Sequence, residues 1–243
     1  MKLTTRLQLS TMMFLEFFIW GAWFVTLGTF LISNLSASGA QTGAVFSTQS
    51  WGAIIAPFII GLIADRYFNA EKILGVLHIV GAFFLYKVYS IGAVTNVYPP
   101  AVFYYLLIYM ILFMPTLALV NSISFNQMKN TEKEFPPVRV WGTIGWIIAG
   151  LAISFVFVWD SEASIKTGLM KNTFLLASIV SLVLGIFSFT LPKTPPKVIK
   201  GEKVKISEIL GLDALRLLKD KNFLIFFIAS ILICIPLAFY YQY

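Results

Sequence analysis

The length of the apolar runs constrains this chain more than any other feature. Six stretches, near residues 7–32, 42–64, 73–95, 100–126, 138–159 and 170–191, are each mostly apolar, and a seventh opens near Asn222 and is still apolar at Tyr243. About 20 such residues cross the hydrocarbon core of a bilayer as an α-helix, whereas a membrane strand needs only about 9–11. In lipid a helix satisfies all its backbone hydrogen bonds internally, so runs of this length read as helices. The predicted fold is an all-α membrane protein. Composition agrees: 58% of the 243 residues are hydrophobic and only 12% charged, against about 25% charged in a soluble domain. The N-terminal MKLTTR is a short charged lead, but no A-x-A pattern follows it at signal-peptide distance, so the first run reads as a retained span.

Several function classes fall away on residue counts. A single cysteine, Cys234, leaves no intrachain disulfide and no Cys cluster, and the single histidine, His78, cannot complete a zinc motif. Neither a phosphate-binding G-x-x-x-x-G-K-[ST] loop nor a G-x-S-x-G nucleophile elbow is present. The expectation is a protein that is not an enzyme and carries no metal or cofactor.

The net charge of +7 is a statement about orientation. Fourteen of the 18 Lys and Arg fall on one side of the predicted spans: Lys2 and Arg6; Arg66 and Lys72; Lys129 and Lys133; and eight between Lys193 and Lys221. Lys166 and Lys171 lie on the other side, and Lys87 and Arg139 fall within spans. Cytoplasmic loops carry the Lys/Arg excess, so the N-terminus and the 192–221 connection are predicted to be cytoplasmic, and nucleic acid is not an expected partner. That connection opens as a Pro- and Lys-rich linker. It continues as ISEILGLDALRLLKDKNF, where Ile206, Ile209, Leu210, Leu217 and Leu218 suggest an amphipathic helix on the membrane surface.

Chemistry within the spans concentrates in two of them. The fifth starts at FPPVRVWGTIGW, residues 135–146. At 100° per residue, Thr143 and Trp146 fall within about 40° of Arg139, while Gly142, Gly145, Ala149 and Ala152 form a separate small-residue face. One face suits close helix packing. Its neighbour offers a cation, a hydroxyl and an indole, a set that can hold a flat polar solute. Arg139 snorkelling to headgroups is the alternative. In the first span Glu16 shares a stripe with Trp20 and Trp23, and a carboxyl at that depth faces a cavity or a partner. Glu16 could pair with Arg139, bind a proton, or be kept neutral by packing. His78 reads as hydrogen-bonded packing, and Lys87 is close enough to the outer end of its span to snorkel. Pro115 should kink the fourth span, with Asn121, Ser122 and Ser124 below it as a possible cavity wall.

These stretches carry a resemblance. GLIADRYFNAEK (61–72) resembles the G-x-x-x-D-[RK]-x-G-R motif of the major facilitator superfamily, with Gly61, Asp65 and Arg66 matching and Phe68 and Asn69 in place of its Gly-Arg. Within that superfamily the chain is similar to the nucleoside:proton symporter family, through FLEFFIWGAWFVTLG, TGAVFS, MPTLALVNSISF, FPPVRVWGTIGW, GLDAL and IFFIAS. The resemblance implies that Arg139, Thr143 and Trp146 contact a nucleoside, that protons are the coupling ion, and that Gly61, Asp65 and Arg66 gate the conformational change. It also implies departures. Ala238 and Tyr241 stand where the family's seventh span brings a Gln and an Asn to the nucleoside, and Glu16 replaces a neutral Gln.

The expected organisation is an N-terminal six-helix bundle (1–191), a cytoplasmic linker with an amphipathic helix (192–221), and the opening of a seventh helix (222–243). A superfamily transporter has two six-span halves around a midplane site, so the chain is expected to be part of a protein nearly twice as long and monomeric when complete. The expected function is proton-coupled nucleoside uptake across a bacterial inner membrane. A symporter of another polar solute, such as a sugar or organic anion, and a non-transporting receptor or scaffold are the alternatives.

Overall fold

A computed structural model describes residues 1–59, 68–196 and 212–242, which are mostly helical, with no strand among the described residues. Helix α1 (Leu3–Trp23) continues, after a break at 24–26, through Leu27–Thr29 and a π-helical turn, Phe30–Asn34. It is followed by α2 (Gly39–Ile59), α3 (Ala70–Val94) and α4 (Ala101–Asn126). Next come α5 (Pro136–Leu151), extended by the π-helical turn Ala152–Val156, and α6 (Asn172–Ser188), while α7 (Lys221–Gln242) follows a 3₁₀ segment, Leu212–Lys219.

Among the described residues, five helical segments are long and apolar enough to cross a membrane: Leu3–Asn34, Ala70–Val94, Ala101–Asn126, Thr131–Val156 and Leu169–Ser188. The second predicted span is present as α2, but Ser47, Thr48, Gln49 and Ser50 interrupt its apolar character. The predicted amphipathic helix lies largely outside the described residues, and its described C-terminal part is the 3₁₀ segment.

Helix pairing follows the small residues. The main neighbours are α1 with α5 and α6, α3 with α4 and α6, and α2 with α4. Lipid tails are as apolar as leucine, so helices in a bilayer gain from close van der Waals approach rather than from a hydrophobic effect. A Cβ on Gly75 would lie 2.9 Å from the Gly185 carbonyl oxygen, and one on Gly52 2.6 Å from that of Met110. These backbones are in contact because no side chain stands between them. The core holds Trp23, Phe30, Tyr109, Phe113 and Phe174, all fully buried or nearly so. Phe155, Val156 and Ile186 are exposed on the outer surface of this apolar bundle, where lipid would cover them.

Contacts between loops define two ends of the bundle. At one, the Met1 amino group bonds Glu134 at 2.6 Å, and the Thr194 N–H donates to the buried Glu71 carboxylate at 2.9 Å. Ala70 N–H donates to the Thr194 carbonyl at 3.0 Å, and the Gln127 side chain donates to the Lys193 carbonyl at 3.3 Å. At the other, Asn34 Nδ2 donates to the Ile165 carbonyl at 2.7 Å.

Candidate functional site

The site is organised by the start of α5. Pro136 and Pro137 occupy the first helical positions, where a missing N–H costs nothing and the fixed φ suits the helix. Ahead of them the turn Thr131–Glu134 is capped by Asn130, whose side chain accepts from the Lys133 N–H. Glu134 binds the Lys129 N–H at 2.9 Å as well as the Met1 amino group, so the entry to α5 is fixed to the chain's first residue. This anchoring fixes the position of Arg139 in the helix's first turn.

Gly145 and Gly142 press α5 against α1. A Cβ on Gly145 would collide with the Phe14 carbonyl, and one on Gly142 would lie 2.6 Å from the Phe17 ring and 2.7 Å from Arg139 Nη1. The space at Gly142 is therefore what lets the guanidinium lie over Phe17, its carbon 4.1 Å from the ring centroid. Arg139 is half-buried, and among the described residues it makes no ion pair or hydrogen bond through its side chain. Its donors remain unspent.

Arg139, Thr143 and Trp146 from α5 share one cavity with Phe17 and Trp20 from α1 and Phe24 just beyond its end. Phe46, Gln49, Ser50 and Ala53 from α2, and Cys234 and Leu237 from α7, complete its lining. Its volume is about 560 Å³, within the range of about 300–1,000 Å³ common for small-molecule sites. The Trp20 and Trp146 rings meet edge to face at 5.7 Å, and Trp20 meets Phe24 and Phe113 at the same distance. This is an aromatic wall with a cation, hydroxyls and an amide set into it.

The other sequence-derived candidates lie elsewhere. Glu16 and Trp23 are fully buried and are not part of the cavity wall. Trp23 packs on Tyr109 and Phe174 with centroids 5.5 and 5.6 Å away. Glu16 does not pair with Arg139: it meets His78 Nε2 at 2.8 Å and the Thr116 hydroxyl at 2.6 Å. Asn121 is half-buried on α4, apart from the cavity lining. Gly61, Asp65 and Arg66 lie outside the described residues, as do the side chains of Ala238 and Tyr241. Sequence reasoning missed Gln49 and Ser50. The signal was the polar run from Ser47 to Ser50 within an otherwise apolar span, which a bilayer-facing helix would not carry.

A family profile describing nucleoside H+ symporters matches residues 1–243. The chain belongs to that family. Family membership and the five apolar helices together make it a multi-pass membrane protein. Among relatives in Escherichia coli (strain K12), the protein named "Putative nucleoside transporter YegT" is 44% identical over 98% of this chain. The nucleoside permease NupG is 34% identical over 94%, and the xanthosine permease is 36% identical over 95%. The chain spans about half the length of each, 52–53%. The crystal structure of the D323A mutant of the nucleoside transporter NupG superposes with a TM-score of 0.80 at 32% identity, covering 98% of this chain and 56% of that one. The all-α fold read from the sequence is the fold shared with that transporter structure.

Proposed function

We propose that this chain forms the first half, and the opening of the seventh helix, of a proton-driven nucleoside importer that works by alternating access. The complete transporter lies in a bacterial inner membrane with its N-terminus in the cytoplasm, acts as a monomer, and uses protons as its coupling ion without a bound cofactor. The observation that carries this reading is the stripe of Arg139, Thr143 and Trp146 on one cavity with Trp20. A nucleoside is a flat base on a polyhydroxylated sugar. Unspent guanidinium donors and a threonine hydroxyl suit its oxygens, and two indoles suit the base. Gln49 and Ser50 add a further amide and hydroxyl. Relatives named as a nucleoside permease and a xanthosine permease support the same substrate class.

Uptake of radiolabelled uridine by cells expressing the full-length transporter tests the proposal. Uptake should be abolished by a protonophore and diluted by unlabelled nucleosides but not by sugars or organic anions. Uptake that a sugar or an organic anion suppresses and nucleosides do not would overturn it.

A further inference from the structure

We propose that Glu16 and His78 together hold one proton in the interior of the bundle, forming a proton-binding site distinct from the cavity. The proposal does not depend on what the cavity binds. His78 Nδ1 lies 3.1 Å from Ser181 Oγ on α6, and Nε2 lies 2.8 Å from Glu16 Oε2 on α1. Ser181 has a single hydroxyl hydrogen and donates it to the His78 carbonyl at 2.9 Å. A carbonyl cannot donate, so the serine oxygen is left as an acceptor and Nδ1 carries a hydrogen. On the far side of the ring, Nε2 either donates to a carboxylate or accepts from a carboxylic acid. In both cases one proton lies between Nε2 and Oε2.

Removing that proton would leave a nitrogen lone pair against an ionised carboxylate oxygen at 2.8 Å. Glu16 is 0% and His78 2% exposed, so no water screens the repulsion. Thr116 offers little relief, because its one hydrogen is shared between Glu16 Oε1 at 2.6 Å and the Phe113 carbonyl at 2.5 Å.

No other charge among the described residues balances Glu16. Helix α4 contributes Tyr109, a buried phenol packed on Trp23. Helix α5 contributes Arg139, whose guanidinium rests on Phe17. Ser181 is what α6 contributes at this point. On α3 itself, Glu71 is bound to Thr194 and Lys87 lies over Phe83. The shared proton is therefore what keeps the carboxyl at this depth.

The chain of contacts Ser181–His78–Glu16–Thr116 joins α6, α3, α1 and α4. Losing the proton opens its middle contact and loosens α1 from α3. Glu16 is next to Phe17 and one turn before Trp20, both in the cavity wall, so the protonation state reaches the cavity through α1.

Histidine-labelled nitrogen NMR on the full-length transporter in lipid nanodiscs tests this, with the His78 signals assigned by their loss in His78→Gln. Nδ1 should stay protonated throughout. Nε2 should show a proton shared with the Glu16 carboxyl, and should convert in one step to an unprotonated nitrogen when that proton is lost. In Glu16→Gln the amide donates to Nε2 permanently, so the ring should remain a neutral Nδ1–H tautomer with no step. A neutral Nε2–H ring in the wild type, or the same His78 titration in wild type and Glu16→Gln, overturns the proposal. Ser181→Ala gives a second handle if Glu16→Gln does not fold: removing the Nδ1 acceptor should shift the step, and an unmoved step also overturns it. Uridine binding on the same samples separates the two readings, since its absence alongside an intact His78 step would fault only the substrate assignment.

Discussion

Arg139 is answered in this structure by a ring face, not by an anion, and its hydrogen-bond donors are directed to no protein acceptor among the described residues. If it binds substrate, Arg139→Ala should weaken uridine binding by about 1.5–3 kcal/mol, roughly 10- to 150-fold, through loss of a charge-assisted donor. Trp146→Ala should cost about 1–3 kcal/mol of stacking, and Thr143→Val only about 1 kcal/mol for one neutral hydrogen bond. Arg139→Lys should fail to rescue, because a point charge cannot reproduce the planar guanidinium. Isothermal calorimetry on the full-length protein measures all four, and a wild-type affinity in Arg139→Lys would sink the substrate-site assignment. The alignment of Arg139, Thr143 and Trp146 was legible in the sequence because it is set by the geometry of one helix. The partner of Glu16 was not. Its choice of His78, 62 positions away, depends on which helices meet, and no spacing within α1 encodes that.

At the scale of helices, the glycine face of α5 was also legible, since small residues at helical spacing announce a close contact. The sequence did not say that α1 would fill it, nor that Gly142 makes room for the Arg139 side chain rather than only for a neighbouring helix. Gly145 is the stricter test. An added Cβ there meets the Phe14 backbone carbonyl, which cannot rotate away as a side chain would. Gly145→Ala should therefore push α1 and α5 apart and lower stability by about 1–3 kcal/mol, the usual cost of overpacking. Because Phe17 and Trp20 travel with α1, uridine affinity should fall as well. Thermal melting of the purified full-length protein checks the first part and calorimetry the second, and an unchanged melting temperature would remove the close contact from the account. In the described part of helix α2, two of the four polar residues that dilute its apolar character, Gln49 and Ser50, line the cavity.

At the scale of the whole molecule, the fold class was legible because six long apolar runs admit little else, whereas the cavity was not, because it is assembled from four helices distant in sequence. The conformational motif remains a proposal: if Asp65 biases one state of the transport cycle, Asp65→Asn should change uptake rate more than uridine affinity, and a change in affinity alone would contradict that role. The proposed orientation rests on a charge count, and the structure bears on which loops share an end. By count, fourteen of the 18 Lys and Arg fall on one side of the spans, the side we propose to be cytoplasmic. By geometry, Met1 is bonded to Glu134 in the α4–α5 connection, and Ala70, Glu71 and Gln127 are bonded to Lys193 and Thr194 after α6, so the described parts of those loops share one end. Ile165, beside Lys166, is tied instead to Asn34 at the opposite end. With Cys234 first replaced by serine, a cysteine placed at Lys200 should resist a membrane-impermeant maleimide in intact cells, and one placed at Lys166 should react. Permeabilising the cells should make the Lys200 site reactive without changing the Lys166 site. The reverse pattern would invert the bundle in the membrane, and with it the direction of transport assigned to the cavity.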